Sequence, residues 1–171
     1  MLKAYRLKRL LGAEKVVIEF QQEFLSQVEA ECQELIKLNW DETGTSQIKL
    51  DPDWDAYYEL ESLGKFKVFT ARSSNKLVGY FAVFIGINPH YKDHTFAVND
   101  TIFLHKDYRK GLTAVKLIKF AESCLKEDGV SVLHMHTKVD QPLDPILERL
   151  GFGLIEKVYS KHLGEDKWQK Q

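Results

Sequence analysis

The sequence predicts an α+β fold, with helices layered on a mixed, mostly antiparallel sheet. Three observations carry that expectation. Apolar residues recur at helical spacing early in the chain; two runs rich in Val, Phe, Tyr and Ile follow, separated by a turn-prone tetrapeptide; and a third apolar run then passes through a basic, glycine-bearing turn into an amphipathic helix.

Taken in order, Val17, Phe20, Phe24, Val28, Cys32, Leu35 and Ile36 fall at helical spacing and predict one long helix, or two with a break, between Glu14 and Leu38. Asn39 to Leu50 is polar and turn-rich. Asp51-Pro52 then supplies an N-cap and a first-turn proline for a helix through about Leu63, with Trp54, Tyr57 and Tyr58 as its aromatic side. Lys65 to Ala71 and Lys76 to Ile87 have strand composition, and Arg72-Ser73-Ser74-Asn75 between them has hairpin-loop chemistry, so they are expected to pair antiparallel. A polar loop around Asn88-Pro89-His90 leads to a third strand over Thr95 to Leu104, which enters the basic turn.

The helix after that turn places Ala114, Leu117, Ile118, Ala121, Cys124 and Leu125 on one face, an exposed Glu122 and Lys126 pair on the other, and Gly129 as a stop. Val130 to Val139 reads as a strand, Asp144-Pro145 opens a short helix that Gly151 ends, and Phe152 to Leu163 reads as a last strand or bent pair. The expected order is helix, helix, hairpin, strand, helix, strand, helix, strand.

A chain of 171 residues with 44% hydrophobic content suits one domain over residues 1–171, with 165–171 as a polar tail. Lys and Arg number 24 against 25 Asp and Glu, a formal net charge of −1, which argues against a dedicated nucleic-acid binder. The apolar run Leu77 to Ile87 is too short to cross a bilayer, and Lys3, Arg6, Lys8 and Arg9 precede no signal-like apolar segment. With only Cys32 and Cys124, both on amphipathic helices, the chain reads as cytoplasmic, its cysteines as small core residues.

The chemistry concentrates between Ile102 and Ile118. Backbone N–H groups that open a helix have no intrahelical partner, so a turn that aims them outward beside Arg109 and Lys110 can hold a pyrophosphate. The sequence has no Gly-x-x-x-x-Gly-Lys-Ser/Thr loop and no Gly-x-Gly-x-x-Gly after a strand, so kinase-like and dinucleotide readings have no support. The plain alternative is an ordinary strand-to-helix connection with solvated basic residues.

This segment resembles the acyl-CoA-binding motif of the GCN5-related N-acetyltransferases, Arg/Gln-x-x-Gly-x-Gly/Ala after an apolar strand. Arg109 matches the motif arginine, Ala114 its last small residue and Leu117-Ile118 the following Leu-Leu, whereas Leu112 stands at the central glycine and Gly111 lies one position early. Leu150-Gly151-Phe152 resembles the family's Leu-Gly-Phe ending. Strings from Asp51-Pro52-Asp53-Trp54 through Val98-Asn99-Asp100 to Tyr108-Arg109 further resemble the acetyltransferases of tailed phages and prophages. The resemblance implies a sheet splayed between the strands before and after the motif helix, and acetyl-CoA as cofactor. Ile102, Phe103 and Leu104 would meet the thioester and pantetheine, and the backbone of Arg109, Lys110, Gly111, Leu112, Thr113 and Ala114 the pyrophosphate. Asp140 replaces a family asparagine on the cofactor side, and Leu147 replaces the tyrosine that often protonates the leaving thiolate, leaving Tyr159 or water for that task.

A carboxylate in an otherwise apolar strand is costly unless paired, solvated by a cleft or used, which makes Asp100 the base candidate; a structural hydrogen-bonding role is the alternative. Asn99, on the opposite side, aligns substrate or is structural. His134 and His136 share one side of a strand, but no carboxylate or cysteine stands at ligand spacing nearby, so no metal is expected. Trp54, Tyr57 and Tyr58 either line an acceptor pocket or belong to the core. Asp41, Glu42, Asp51, Asp53 and Asp55 either favour a cationic substrate or form a solvated surface.

Three functions fit these residues. The first is an acetyl-CoA-dependent N-acetyltransferase acting on a primary amine of a small molecule or protein, phage- or prophage-encoded and working in the host cytoplasm; a homodimer is compatible with it. The second is a degenerate acyl-CoA-binding module, and the third an interaction protein that keeps the fold and binds a host factor.

Overall fold

The computed structural model describes residues 17–44, 49–161 and 163. The amino-terminal charges at Lys3, Arg6, Lys8 and Arg9, the beginning of the helix expected from Glu14, and the tail 165–171 lie outside the described residues.

The elements are β1 (Ile18–Glu23), α1 (Leu25–Thr43), α2 (Trp54–Ser62), β2 (Phe66–Ser73), β3 (Lys76–Ile87), β4 (Thr95–Leu104), a single 3-10 turn (Lys106–Tyr108), α3 (Thr113–Glu127), β5 (Val132–His134) and α4 (Asp144–Arg149). They build one sheet in the order β1-β2-β3-β4-β5, antiparallel except where β4 and β5 pair in parallel. Helices α1 and α2 cover one face and α3 the other.

The β2–β3 hairpin and β4 form where composition predicted them. Ser74 and Asn75 make the turn with φ of 48° and 65°, the left-handed pair that a two-residue hairpin loop requires. Gly79 lets the end of β4 lie close, since a Cβ there would stand 2.8 Å from the Phe103 carbonyl oxygen.

Four expectations need correction. Residues expected to begin the first helix form β1, because Ile18 and Phe20 alternate with exposed Glu19 and Gln21 and the segment pairs with β2 from Ile18↔Ser73 to Glu23↔Val68. Residues 39–43, read as turn-rich, continue α1. The cap of α2 is Asp53, not Asp51: its carboxylate accepts from Ala56 N at 3.0 Å. Beyond β4 the pairing is sparse; β5 spans only Val132–His134 rather than Val130 to Val139, and no strand forms among the described residues after Phe152, where residues 153–161 are exposed. Those late segments carry strand-like composition, but Val139, Leu154, Ile155 and Val158 are exposed, and only Val130, Leu133 and Met135 of them pack on the core.

An ion-pair cluster missed in the sequence ties the sheet to α1. Arg72 donates to Glu23 of β1 at 2.8 Å and to Glu31 of α1 at 2.9 Å, and Glu31 also accepts from Leu77 N at 3.0 Å. Arg72 holds the Glu31 carboxyl below its ordinary range, more strongly than burial raises it. Glu122 is half-buried; burial raises its pKa, and the nearby charge opposing that rise is Lys119 rather than Lys126.

Candidate active site

The site starts from a break in register. Between β3 and β4, Ala82 pairs with Thr101 but Val83 pairs with Asn99, so Asp100 is an extra residue, a β-bulge. A bulge turns two successive side chains to one face, which puts Asp100 with Thr101 on the side covered by α1 and α2. There Tyr57 of α2 donates its hydroxyl proton to Asp100 Oδ2 at 3.2 Å. Asp100 is open to a cleft yet surrounded by protein, and this desolvation raises its pKa, with the Tyr57 hydrogen bond opposing. Burial, then the charge of Asp100, pushes the Tyr57 hydroxyl up to about 12.

The sheet opens at the same level. β5 pairs with β4 only at Phe96, Ala97 and Val98. At the next residue the Asn99 side-chain amide takes over, donating to the His136 carbonyl at 3.1 Å and accepting from His136 N–H. Asn99 thus closes the last rung before the strands part, a structural role. Among the described residues no strand lies beside the edge of residues 99–104 turned away from β3, and Ile102, Phe103 and Leu104 border the gap.

At the far end of β4 the turn has changed register relative to the motif. Gly111, not Leu112, takes the left-handed conformation, with φ of 74° and no atom within 4 Å of where a Cβ would sit. Leu112 has φ −109° and faces solvent, 63% exposed. It occupies the N-cap of α3, where its side chain caps nothing. Among the described residues no protein group accepts from the backbone N–H groups of residues 110–115, and Lys110 is exposed beside them. Arg109 turns inward instead: it donates to the Leu104 carbonyl at 2.7 Å and to Glu42 of α1 at 2.6 Å, with its guanidinium 5.3 Å from the Phe103 ring centre.

The strand edge, the bulge and Arg109 border one cavity of about 1430 Å³ running from the splayed strands into the space beneath α1 and α2. Ile102, Phe103, Leu104, Arg109, Ala114 and Asp100 all line it. Lys110, Gly111, Leu112, Thr113 and Asp140 do not; Asp140 lies in an exposed bend between Val139 and Gln141, which do. Tyr159 reaches the cavity from an irregular segment and is 90% exposed. Leu147 is buried.

Trp54 and Tyr57 serve as both core and wall, whereas the Tyr58 hydroxyl is engaged by Glu29. Of the acidic cluster only Glu42 borders the cavity, and Arg109 holds it; Asp53 caps α2. His136 lines the cavity, and the His134 ring meets Phe96 edge-on at 5.6 Å. Among the described residues no three His, Cys, Asp or Glu side chains cluster as a metal site would require. Burial pushes the Cys32 thiol up to about 12, leaving it an inert part of the wall. Sequence reasoning missed Tyr80, a tyrosine inside the apolar alternation of β3 whose hydroxyl is fully buried, with Thr101 as its hydrogen-bonding neighbour. Its signal was available: a phenol on an inward strand position needs a partner.

No protein-family model matches the sequence, and neither does any curated protein. Solved structures do. A GCN5-related N-acetyltransferase from Ralstonia eutropha superposes with a TM-score of 0.71 at 15% identity, over 86% of this chain and 100% of that one. A structure described as a predicted acetyltransferase with acetyl-CoA, from Clostridium acetobutylicum, gives 0.65 at 11% identity over 86% and 97%. An aminoglycoside acetyltransferase from an uncultured soil sample, in complex with sisomicin, gives 0.67 at 17% identity over 87% and 97%. The layered sheet, its splay beside a basic strand-to-helix turn, and these superpositions together establish that this chain has the fold of the GCN5-related N-acetyltransferases.

Proposed function

We propose that the protein is an acetyl-CoA-dependent N-acetyltransferase of primary amines, built as a single domain. The observation that carries this reading is the run of unpartnered N–H groups at residues 110–115, opening toward solvent beside Lys110 and uncapped by Leu112. Donors left free at a helix start suit a diphosphate, and the open space at Gly111 admits one. The pantetheine arm would lie along the free edge of Ile102, Phe103 and Leu104.

Acetyl-CoA, when bound, supplies an acetyl thioester whose carbonyl carbon bonds the amine nitrogen as its bond to sulfur breaks, releasing coenzyme A. Asp100 takes the proton that the incoming ammonium must lose, directly or through water. Its raised pKa suits that task, since desolvation makes the carboxylate a stronger base. Tyr57 fixes the carboxylate by its hydrogen bond. Water, rather than the solvated Tyr159, gives the departing thiolate its proton. Among the described residues no helix is long and apolar enough to cross a membrane. The assignment to host cytoplasm rests on cysteine usage, and the phage or prophage origin on the strings around Trp54, Asp100 and Arg109.

A second reading, a coenzyme A binder without turnover, is favoured by the contacts that hold Arg109 away from the turn. Thermal-shift titration with acetyl-CoA, followed by free-thiol release over an amine panel, separates the two. Stabilisation with thiol release is expected, and stabilisation alone supports the second reading. The double variant Arg109→Ala and Lys110→Ala is expected to weaken acetyl-CoA binding by about tenfold, or about 1.4 kcal/mol. Unchanged affinity would reject the assigned phosphate site.

A further inference from the structure

Resting on the acetyltransferase reading, we infer that Asn99 is the positioning residue for Asp100: its amide, bound to both the N–H and the C=O of His136, fixes which residue of β4 is the extra one in the bulge and so delivers the carboxylate to the cavity. The backbone alone gives little reason for that choice. Asn99 and Asp100 are close in size, and both residue types are poor strand formers. Val83, the partner of Asn99, packs on the α3 side of the sheet. Opposed residues of an antiparallel pair share a face, so a slip that paired Val83 with Asp100 would turn the carboxylate toward α3 and away from Tyr57.

The side-chain chemistry makes the choice. His136 presents one backbone donor and one backbone acceptor to the end of the β4–β5 ladder. An amide satisfies both: Asn99 Nδ2 donates to the His136 carbonyl at 3.1 Å, and Oδ1 accepts from the His136 N–H at 2.5 Å. An ionised carboxylate only accepts, so Asp100 in that place would leave the carbonyl without its donor. The anchor is itself held, because Leu143 at the start of α4 donates its N–H to Thr137 Oγ1 at 2.7 Å. Asn99 is thereby fixed from two sides, by Val83 of β3 and by His136, and the extra residue falls at Asp100, where Tyr57 meets it at 3.2 Å.

The test is a double-mutant cycle on kcat for free-thiol release, in the wild type, Asn99→Ala, Asp100→Asn and the double variant. The acceptor is whichever of tyramine, spermidine, sisomicin and a lysine-containing peptide the wild type acetylates fastest. Asn99→Ala is expected to slow the wild type by about tenfold and the Asp100→Asn protein by less than about twofold, since no base is left there to position. The thermal shift given by acetyl-CoA is expected in all four proteins. Asn99→Thr, strand-forming but too short to span both His136 groups, runs the same cycle where Asn99→Ala does not fold. An equal loss in both backgrounds means that Asn99 serves the scaffold alone and overturns the inference, as does an unchanged kcat; either result leaves the acetyltransferase reading standing. No thiol release from the wild type with any of these amines overturns both.

Discussion

The two faces of the sheet are built differently. Against α3, Phe69, Phe81, Val83, Leu117 and Ala121 are fully buried, Phe69 meets Phe81 and Phe120 at 6.2 Å, and none of these residues lines the large cavity. Against α1 and α2 the buried residues include Phe66, Val68, Tyr80 and Phe103, and all four border it. The first face is closed by apolar packing, and the second borders the cavity and holds a buried hydroxyl and a desolvated carboxylate. One side of the same five strands provides stability, and the other holds groups that are costly to bury unless a ligand uses them.

The largest expected effect breaks that comparison directly. Phe81→Ala removes a ring surrounded by packed neighbours and is expected to cost about 3–5 kcal/mol in urea unfolding. Phe66→Ala removes a ring of equal size whose surroundings already include open space, so fewer contacts are lost and the cost is expected to be smaller by about 1 kcal/mol or more. Equal losses would mean that the second face is as well packed as the first.

The next effect lies on the open face alone. Asp100→Asn keeps the shape of the bulge and removes the base, so acetyl transfer to an amine is expected to slow by about a hundredfold or more. The acetyl-CoA thermal shift is expected to persist, because the N–H groups of residues 110–115 are untouched. Wild-type turnover at neutral pH would remove Asp100 from the chemistry and leave its bond to Tyr57 as a structural contact.

The contrast between the faces also explains what was legible in the sequence. The closed face was readable, since Leu117, Ile118, Ala121 and Leu125 recur at helical spacing and the β2–β3 hairpin carries turn chemistry at Ser74-Asn75. The basic turn and Asp100 were readable as chemistry, because charges beside apolar runs stand out. The open face was not. Ile18 and Phe20 fit a helical stripe as well as a strand, and only pairing with β2 decides between them. Which nearby carboxylates face the cavity depends on contacts more than forty positions apart in the chain, such as Glu42 with Arg109. The bulge was hidden as well, because a register shift has no residue signature when the extra residue is not glycine.

The smallest expected effect concerns pH, and its sign differs between the scaffold and the site. Asp100 has a raised pKa in the folded protein, so the folded state binds its proton more tightly than the unfolded chain does. Its contribution is therefore most favourable below the unfolded carboxylate value, about 4, and is lost as pH rises through the folded value. Glu31, lowered by Arg72, is the reverse: its contribution is present above the unfolded value and lost as pH falls through the folded one. At neutral pH, Asp100→Asn is accordingly expected to raise the melting temperature and Glu31→Gln to lower it, and both differences should shrink as the pH is taken down through the carboxylate range. Melting curves between about pH 3 and pH 8 read both at once. Asp100→Asn lowering the melting temperature at neutral pH would show that the carboxylate stabilises the folded chain through Tyr57, which would make it part of the scaffold rather than a charge held ready for a substrate.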